Sequence, residues 1–232
     1  MIALLGAMDG EIQEFLRHLE QPVEHELSDF LFRTGTISGH EVVVAKSGVG
    51  KTLSAMVTQY LIDRFHPDHI VVTGLAGAIN PELEIGDTLV AVDCLQHDMD
   101  ATPLGFARGE VPYSGYRVLT CDSVLRERAE GCKPDSGRVY SGRILTGDQF
   151  LVESGLSSHS YLREELAGDA VEMEGASVGL VAAVHSIPFL IVRTISDKAD
   201  GRAKIDFGAF LARASLNSWK FVEHILLDPS LK

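Results

Sequence analysis

The sequence predicts an α/β fold: a single domain with a central mixed, largely parallel sheet flanked by helices. Three observations predict it. Short β-rich runs alternate with amphipathic segments along most of the chain. The strand runs, such as Ile70-Val71-Val72 and Phe189-Leu190-Ile191-Val192, are continuously apolar, as strands covered on both faces must be. No internal repeat, low-complexity tract or linker interrupts the alternation, so residues 1–232 read as one domain.

Taken in order, Ile2 to Gly6 reads as a strand, followed from Asp9 by a helix with Ile12, Phe15, Leu16 and Leu19 on one face. Phe30 to Ile37 and Glu41 to Ala45 read as strands joined by a turn at Ser38-Gly39-His40. The next segment sets Leu53, Met56, Val57, Tyr60 and Leu61 on one helical face, and Pro67 stops it. His69 to Thr73 is a strand leading into the small-residue run Gly74 to Ala78. Further strands are expected at Gly86 to Val92, Arg138 to Thr146 and Pro188 to Ile195. Helices are expected at Ala176 to His185 and Phe207 to Leu226.

The composition fits one substantial core: 232 residues, 45% hydrophobic and 23% charged. The chain carries 33 acidic against 20 basic residues, a formal net charge of −13. That balance leaves no basic surface to displace counterions, which argues against nucleic acid and anionic membrane as partners. No apolar run approaches bilayer length, and the start MIALLGAMDGE lacks the basic flank of a signal peptide, so a cytoplasmic protein is expected. Cys94, Cys121 and Cys132 have neither metal-ligand spacing nor an even count and read as reduced filler or surface thiols.

The stretch AKSGVGKT, Ala45 to Thr52, follows an apolar strand and resembles a phosphate loop. Its first position is Ala45 rather than glycine, and the supporting magnesium aspartate is only weakly indicated by Asp197. A strand-to-helix turn whose glycines let the backbone pass close to something else is the better reading.

In such sheets ligands gather at the carboxyl ends of strands. Four such ends stand out: Gly6 to Glu11, Ser47 to Gly50, Thr73 to Gly77 and Thr194 to Asp197. Glu11, in a first helical turn, is either a carboxylate favoured by the helix dipole or a functional group. Glu172 and Glu174 flank Met173 within apolar sequence; buried carboxylates need partners, and a ribose diol offers two hydroxyls to one carboxylate. Arg193 to Asp197 ends the most apolar strand and is either a turn cap or a ligand contact. His97-Asp98-Met99-Asp100 reads as a hydrogen-bonded turn, and no metal is assigned.

Read together, Gly6-Ala7-Met8-Asp9-Gly10-Glu11, Lys46-Ser47-Gly48-Val49-Gly50-Lys51, Gly86-Asp87, His97-Asp98-Met99-Asp100, Gly147-Asp148-Gln149-Phe150, Val171-Glu172-Met173-Glu174-Gly175 and Ile195-Ser196-Asp197-Lys198-Ala199-Asp200 occur in an order and spacing that resembles the 5′-methylthioadenosine/S-adenosylhomocysteine nucleosidases of the nucleoside phosphorylase superfamily. The resemblance runs from Met1 to about Phe207. It implies an N-glycosidase acting on adenine nucleosides without a cofactor, and a homodimer. Residue by residue, Glu11 matches the carboxylate that activates water and Asp197 the acid that protonates purine N7. Arg193 matches a residue near water and ribose. Glu174 matches the diol acceptor, with Met173 against the sugar. Phe150, Leu151 and Ser196 match the adenine contacts, and Ala76 and Gly77 the substrate-lining strand end. Phe207 matches a residue closing the 5′-alkylthio pocket, and Ala101, Leu104 and Pro112 the loop that closes the neighbouring subunit's pocket.

The implied chemistry requires Asp197 to stay protonated near neutrality, and burial beside other carboxylates is expected to raise its pKa. A phosphorylase of the same superfamily is disfavoured because the first loop offers Asp9 and Glu11 and no arginine to receive phosphate. Leu75 departs from the family, where a small, often hydroxyl-bearing residue is common. Either Glu11 and Arg193 hold the water alone, or the pocket suits another adenine nucleoside such as aminofutalosine or 5′-deoxyadenosine.

Overall fold

The computed structural model describes residues 1–27, 29–151, 159–198 and 207–227, with side chains of the last helix from Phe210 onward. Strand β1 (Ile2–Gly6) lies between β4 (His40–Lys46) and β5 (His69–Ala78), and all three run parallel. Alternation along β1 decides what each face meets. Ile2 and Leu4 pack with Ile12 and Phe15 of helix α1 (Asp9–Arg17) and Val222 of α6 (Phe207–Leu226). Ala3 and Leu5 pack on the opposite side with Val57 and Leu61 of α2 (Lys51–Phe65). Burying each such leucine contributes about 1.5–3 kcal/mol.

Outward from β4, the hairpin strands β3 (Phe30–Ile37) and β2 (Glu20–Leu27) pair antiparallel and form an open wing. On the other side β5 pairs parallel with β10 (Phe189–Asp197). From β10 the sheet continues through β6 (Thr88–Gln96), β8 (Val139–Thr146) and β9 (Ala170–Glu172), and β9 returns to pair antiparallel with the end of β5. Five strands therefore close into a ring, with β7 (Leu119–Thr120) paired on β6. The sheet is mixed, with helices α3 (Ser123–Glu130), α4 (Tyr161–Glu164) and α5 (Gly175–Val184) completing the cover.

Most expected elements appear within a few residues of their expected bounds. The strand expected to end at Thr73 runs on through the small-residue run Gly74 to Ala78, the second half of β5, because the ring needs a strand there. The face expected of α2 is rotated: Leu53 and Met56 are exposed, and the buried side is Ser54, Val57, Thr58, Leu61 and Ile62. The small hydroxyls allow close approach to α5, where Ser177 Oγ donates to the Lys51 carbonyl at 2.6 Å. All three cysteines are buried, none at the surface.

Candidate active site

The parallel strands β1, β4, β5 and β10 bring their carboxyl ends to one edge, and Glu11 enters there from the first turn of α1. Its carboxylate is 3% exposed. One oxygen accepts from the amides of Ala7 at 2.6 Å and Met8 at 3.0 Å, the reach-back of a capping glutamate. The other accepts from the amide of Leu75 on β5 at 3.1 Å. Burial pushes the Glu11 pKa up from its ordinary value; Arg193 and the three amides oppose that only in part. The side chain that caps α1 thus also ties α1 to β5 at the strand ends.

Arg193 on β10 is 1% exposed and sits among three carboxylates. Its Nη2 donates to Glu172 and lies 3.5 Å from Glu174, and its Nη1 donates to the Thr73 carbonyl at 3.3 Å. Burial alone would lower its pKa, but Glu172, Glu174 and Glu11 outweigh it and raise the value, so the guanidinium stays charged. Glu174, also buried, is pushed up to about 7, first by burial and then by Glu172; Arg193 and the Gly50 amide pull the other way. Gly74 makes this meeting possible: a Cβ there would collide with Arg193 Nη1 and come within 2.6 Å of Glu11 Oε1.

Ala76 and Gly77 on β5 pair with Ile195 and Asp197, and the ladder skips Ser196. This β-bulge re-aims the end of β10. Ser196 Oγ donates to Asp197 at 2.7 Å and lies 3.3 Å from the Ala76 carbonyl. Asp197 is half-buried, not enclosed as expected, because it ends the strand past the last fully buried residue, Ile195. Leu75 contributes its amide, so the leucine side chain removes no hydrogen bond from Glu11.

The glycine-rich turn holds carboxylates of this chain. Gly50, at φ +91, donates its amide to Glu174 at 2.9 Å, and Lys51 donates its amide to Asp148 at 2.8 Å. Lys51 Nζ pairs with Asp98 at 2.7 Å, and Asp98 also accepts the Asp148 amide at 2.9 Å. The start of α2, with its positive dipole end, thus secures the diol-acceptor candidate and the turn before Phe150. The triphosphatase reading fails on these bonds. His97 is buried against Tyr161, 3.0 Å from its hydroxyl, and burial pushes its pKa down to about 4.

Leu151 is buried with Leu95, Leu145 and Leu162, so only its backbone is available to a ligand. Phe150 is 78% exposed. Met173 is half-buried between the two glutamates. In the loop of Ala101, Leu104 and Pro112, Leu104 is 72% exposed and the other two are half-buried. Ala199, Asp200 and the side chain of Phe207 lie outside the described residues. The residue that sequence reasoning assigned no role is Glu172, which accepts from Arg193, Thr146 and two amides. Its signal was the paired glutamates in apolar sequence.

The profile of the Phosphorylase superfamily matches residues 1–227 of the chain. A 5′-methylthioadenosine/S-adenosylhomocysteine nucleosidase of Bacillus thuringiensis (strain Al Hakam) is 34% identical over 230 residues, covering 97% of each chain. The crystal structure of the 5′-methylthioadenosine/S-adenosylhomocysteine nucleosidase from Neisseria meningitidis, in complex with methylthio-immucillin-A, superposes with a TM-score of 0.87 at 32% identity, covering 97% of both chains. A futalosine hydrolase of Helicobacter pylori strain 26695 superposes with a TM-score of 0.86 at 32% identity, covering 97% of this chain and 96% of the other.

Proposed function

The chain belongs to the phosphorylase superfamily, and on that footing we propose the division of labour by which its site hydrolyses the N-glycosidic bond of 5′-methylthioadenosine and S-adenosylhomocysteine. Asp197 gives a proton to adenine N7 as the C1′–N9 electrons pass to the purine. The sugar becomes cationic at C1′. Glu11 takes a proton from water, and the water oxygen attacks C1′ from the face opposite the departing base, the arrangement of inverting sugar hydrolysis. Glu174 accepts from the ribose diol, Met173 packs on the sugar, and Arg193 orients water and carboxylates. Phe150, the Leu151 and Ser196 backbones, Ala76 and Gly77 frame the adenine, and Phe207 borders the 5′ group.

One observation carries this reading. Glu11 rests on the amide of Leu75, two residues along β5 from Gly77, which pairs with Asp197. Both carboxylates therefore meet the same end of β5, where a sugar and a water can stand between them in the proposed mechanism. The surrounding charge supports it: Glu11, Glu172 and Glu174 against Arg193 favour a cationic sugar and disfavour an anionic phosphate nucleophile. Purified protein is expected to release adenine from methylthioadenosine in phosphate-free, metal-free buffer. Activity that appears only on adding phosphate overturns the assignment.

A second reading, hydrolysis of a nucleoside with a larger 5′ group such as aminofutalosine, is favoured by one feature: half-buried Leu75 at the site. The same assay across 5′ substituents, with Leu75→Ser alongside, separates the two. We also place the enzyme in the cytoplasm as a homodimer in which Ala101, Leu104 and Pro112 close the partner's 5′ pocket. The exposure of Leu104 and Tyr113, 72% and 91%, supports a covered apolar surface.

A further inference from the structure

We infer that Glu172, which meets no substrate atom in the mechanism above, is the positioning residue that fixes Arg193, Glu174 and the base-binding turn in one register. This rests on the nucleosidase reading. The Glu172 side chain is buried, and its carboxylate accepts from three separate elements. From β10 it takes Arg193 Nη2. From the start of α5 it takes the amides of Glu174 at 3.1 Å and Gly175 at 2.9 and 2.7 Å. From the end of β8 it takes the Thr146 hydroxyl, whose oxygen in turn accepts the Ala176 amide at 2.7 Å. Its own carbonyl accepts the amide of Gly147, where the turn toward Phe150 begins, at 3.0 Å.

Each of those elements delivers one working part. Arg193 orients water, the Glu174 backbone sets the diol acceptor, and Gly147 to Leu151 carries the adenine contacts. Every group aimed at the Glu172 carboxylate is a donor, and a carboxylate only accepts. Glutamine has the same shape but presents an NH₂ to a donor, so it cannot serve the set. Gly175 keeps the place open, because a Cβ there would stand 3.1 and 3.2 Å from the two carboxylate oxygens. A buried acid with a purely structural task would not need to join these parts.

The test is a double-mutant cycle on adenine release in phosphate-free buffer. Glu172→Gln is expected to lower kcat/KM about 10²-fold through misplacement of its partners. Arg193→Gln is expected to lose a similar factor, and the double variant about 10²-fold in total, no more than either single variant, because one residue acts through the other. Losses that multiply overturn the inference. A second readout is the acid limb of KM set by Glu174, which faces Glu172 on β9, Glu11 on α1, Arg193 on β10 and the Gly50 amide at α2. Removing the Glu172 charge is expected to move that limb to lower pH; an unmoved limb contradicts the role. Should Glu172→Gln not fold, Thr146→Val withdraws that donor, together with the acceptor of the Ala176 amide, at nearly the same shape. About a tenfold loss that is non-additive with Arg193→Gln is then expected, and additivity or no loss overturns the inference. A parent enzyme that releases no adenine sinks the nucleosidase reading itself, whereas an active parent with multiplying losses sinks only the part given to Glu172.

Discussion

Glu11 and Gly74 show how much chemistry depends on single atoms. Glu11→Gln keeps the shape but removes the base of the proposed mechanism, and kcat is expected to fall about 10²–10⁴-fold in adenine release while the melting transition stays cooperative. Gly74→Ala adds one methyl where Arg193 and Glu11 meet; the expected result is a similar loss of activity with lowered stability in a urea titration. Glu174 ties the site to pH. Its carboxyl is held at about 7, and in the proposed mechanism only the ionised form accepts both diol hydrogens, so KM is expected to rise as pH falls below about 7. The same shift works oppositely on stability. A raised folded pKa gives a contribution complete below the ordinary 4.5 and lost as pH rises to about 7, so Glu174→Gln is expected to flatten the melting temperature over that window. Glu11, Glu174, Arg193 and Asp197 could all be named from the sequence, because each stands at a strand end or beside apolar sequence. Glu172 could not be given a role, since its partners come from residues 21 and 26 positions away.

At the scale of elements, the start of α2 decides between two chemistries that look alike in sequence. Gly50 and Lys51 turn their amides to Glu174 and Asp148, and Lys51 clamps Asp98. In a phosphate-loop enzyme, loss of this lysine abolishes turnover. Here Lys51→Met is expected to cost about 1–3 kcal/mol of stability, read from the urea midpoint, by stripping a partly buried carboxylate of its cation. Its kcat is expected to stay within about tenfold, or ~1.4 kcal/mol of barrier. Apolar strands such as β1, β5 and β10 were legible because their runs are long and continuous. The edge strand β2 was not, since its pattern is exposed and rich in glutamate, and β7 and β9 are too short to show a period. The bulge at Ser196, which turns the end of β10 toward the site, leaves no mark in composition.

The whole molecule is an open run of strands from β2 to β5 joined to a closed ring, and β5 belongs to both. Closure depends on β9 returning to the last two residues of β5, a pairing between positions far apart in the chain that local periodicity does not encode. The ring sets the carboxyl ends of β1 and β5 beside that of β10, which puts Glu11 and Asp197 on one edge. Assembly belongs to this scale too: Leu104→Glu is expected to shift sedimentation toward monomer and to raise KM for methylthioadenosine if the partner loop covers the 5′ pocket. The most direct test of the account follows the fate of water. In phosphate-free buffer made with heavy-oxygen water, the thioribose product, read before its hemiacetal opens and exchanges, is expected to carry one labelled oxygen at C1′ in the inverted configuration, and both Glu11→Gln and Asp197→Asn should suppress its formation. Unlabelled product, retained configuration, or full turnover in either variant contradicts the account.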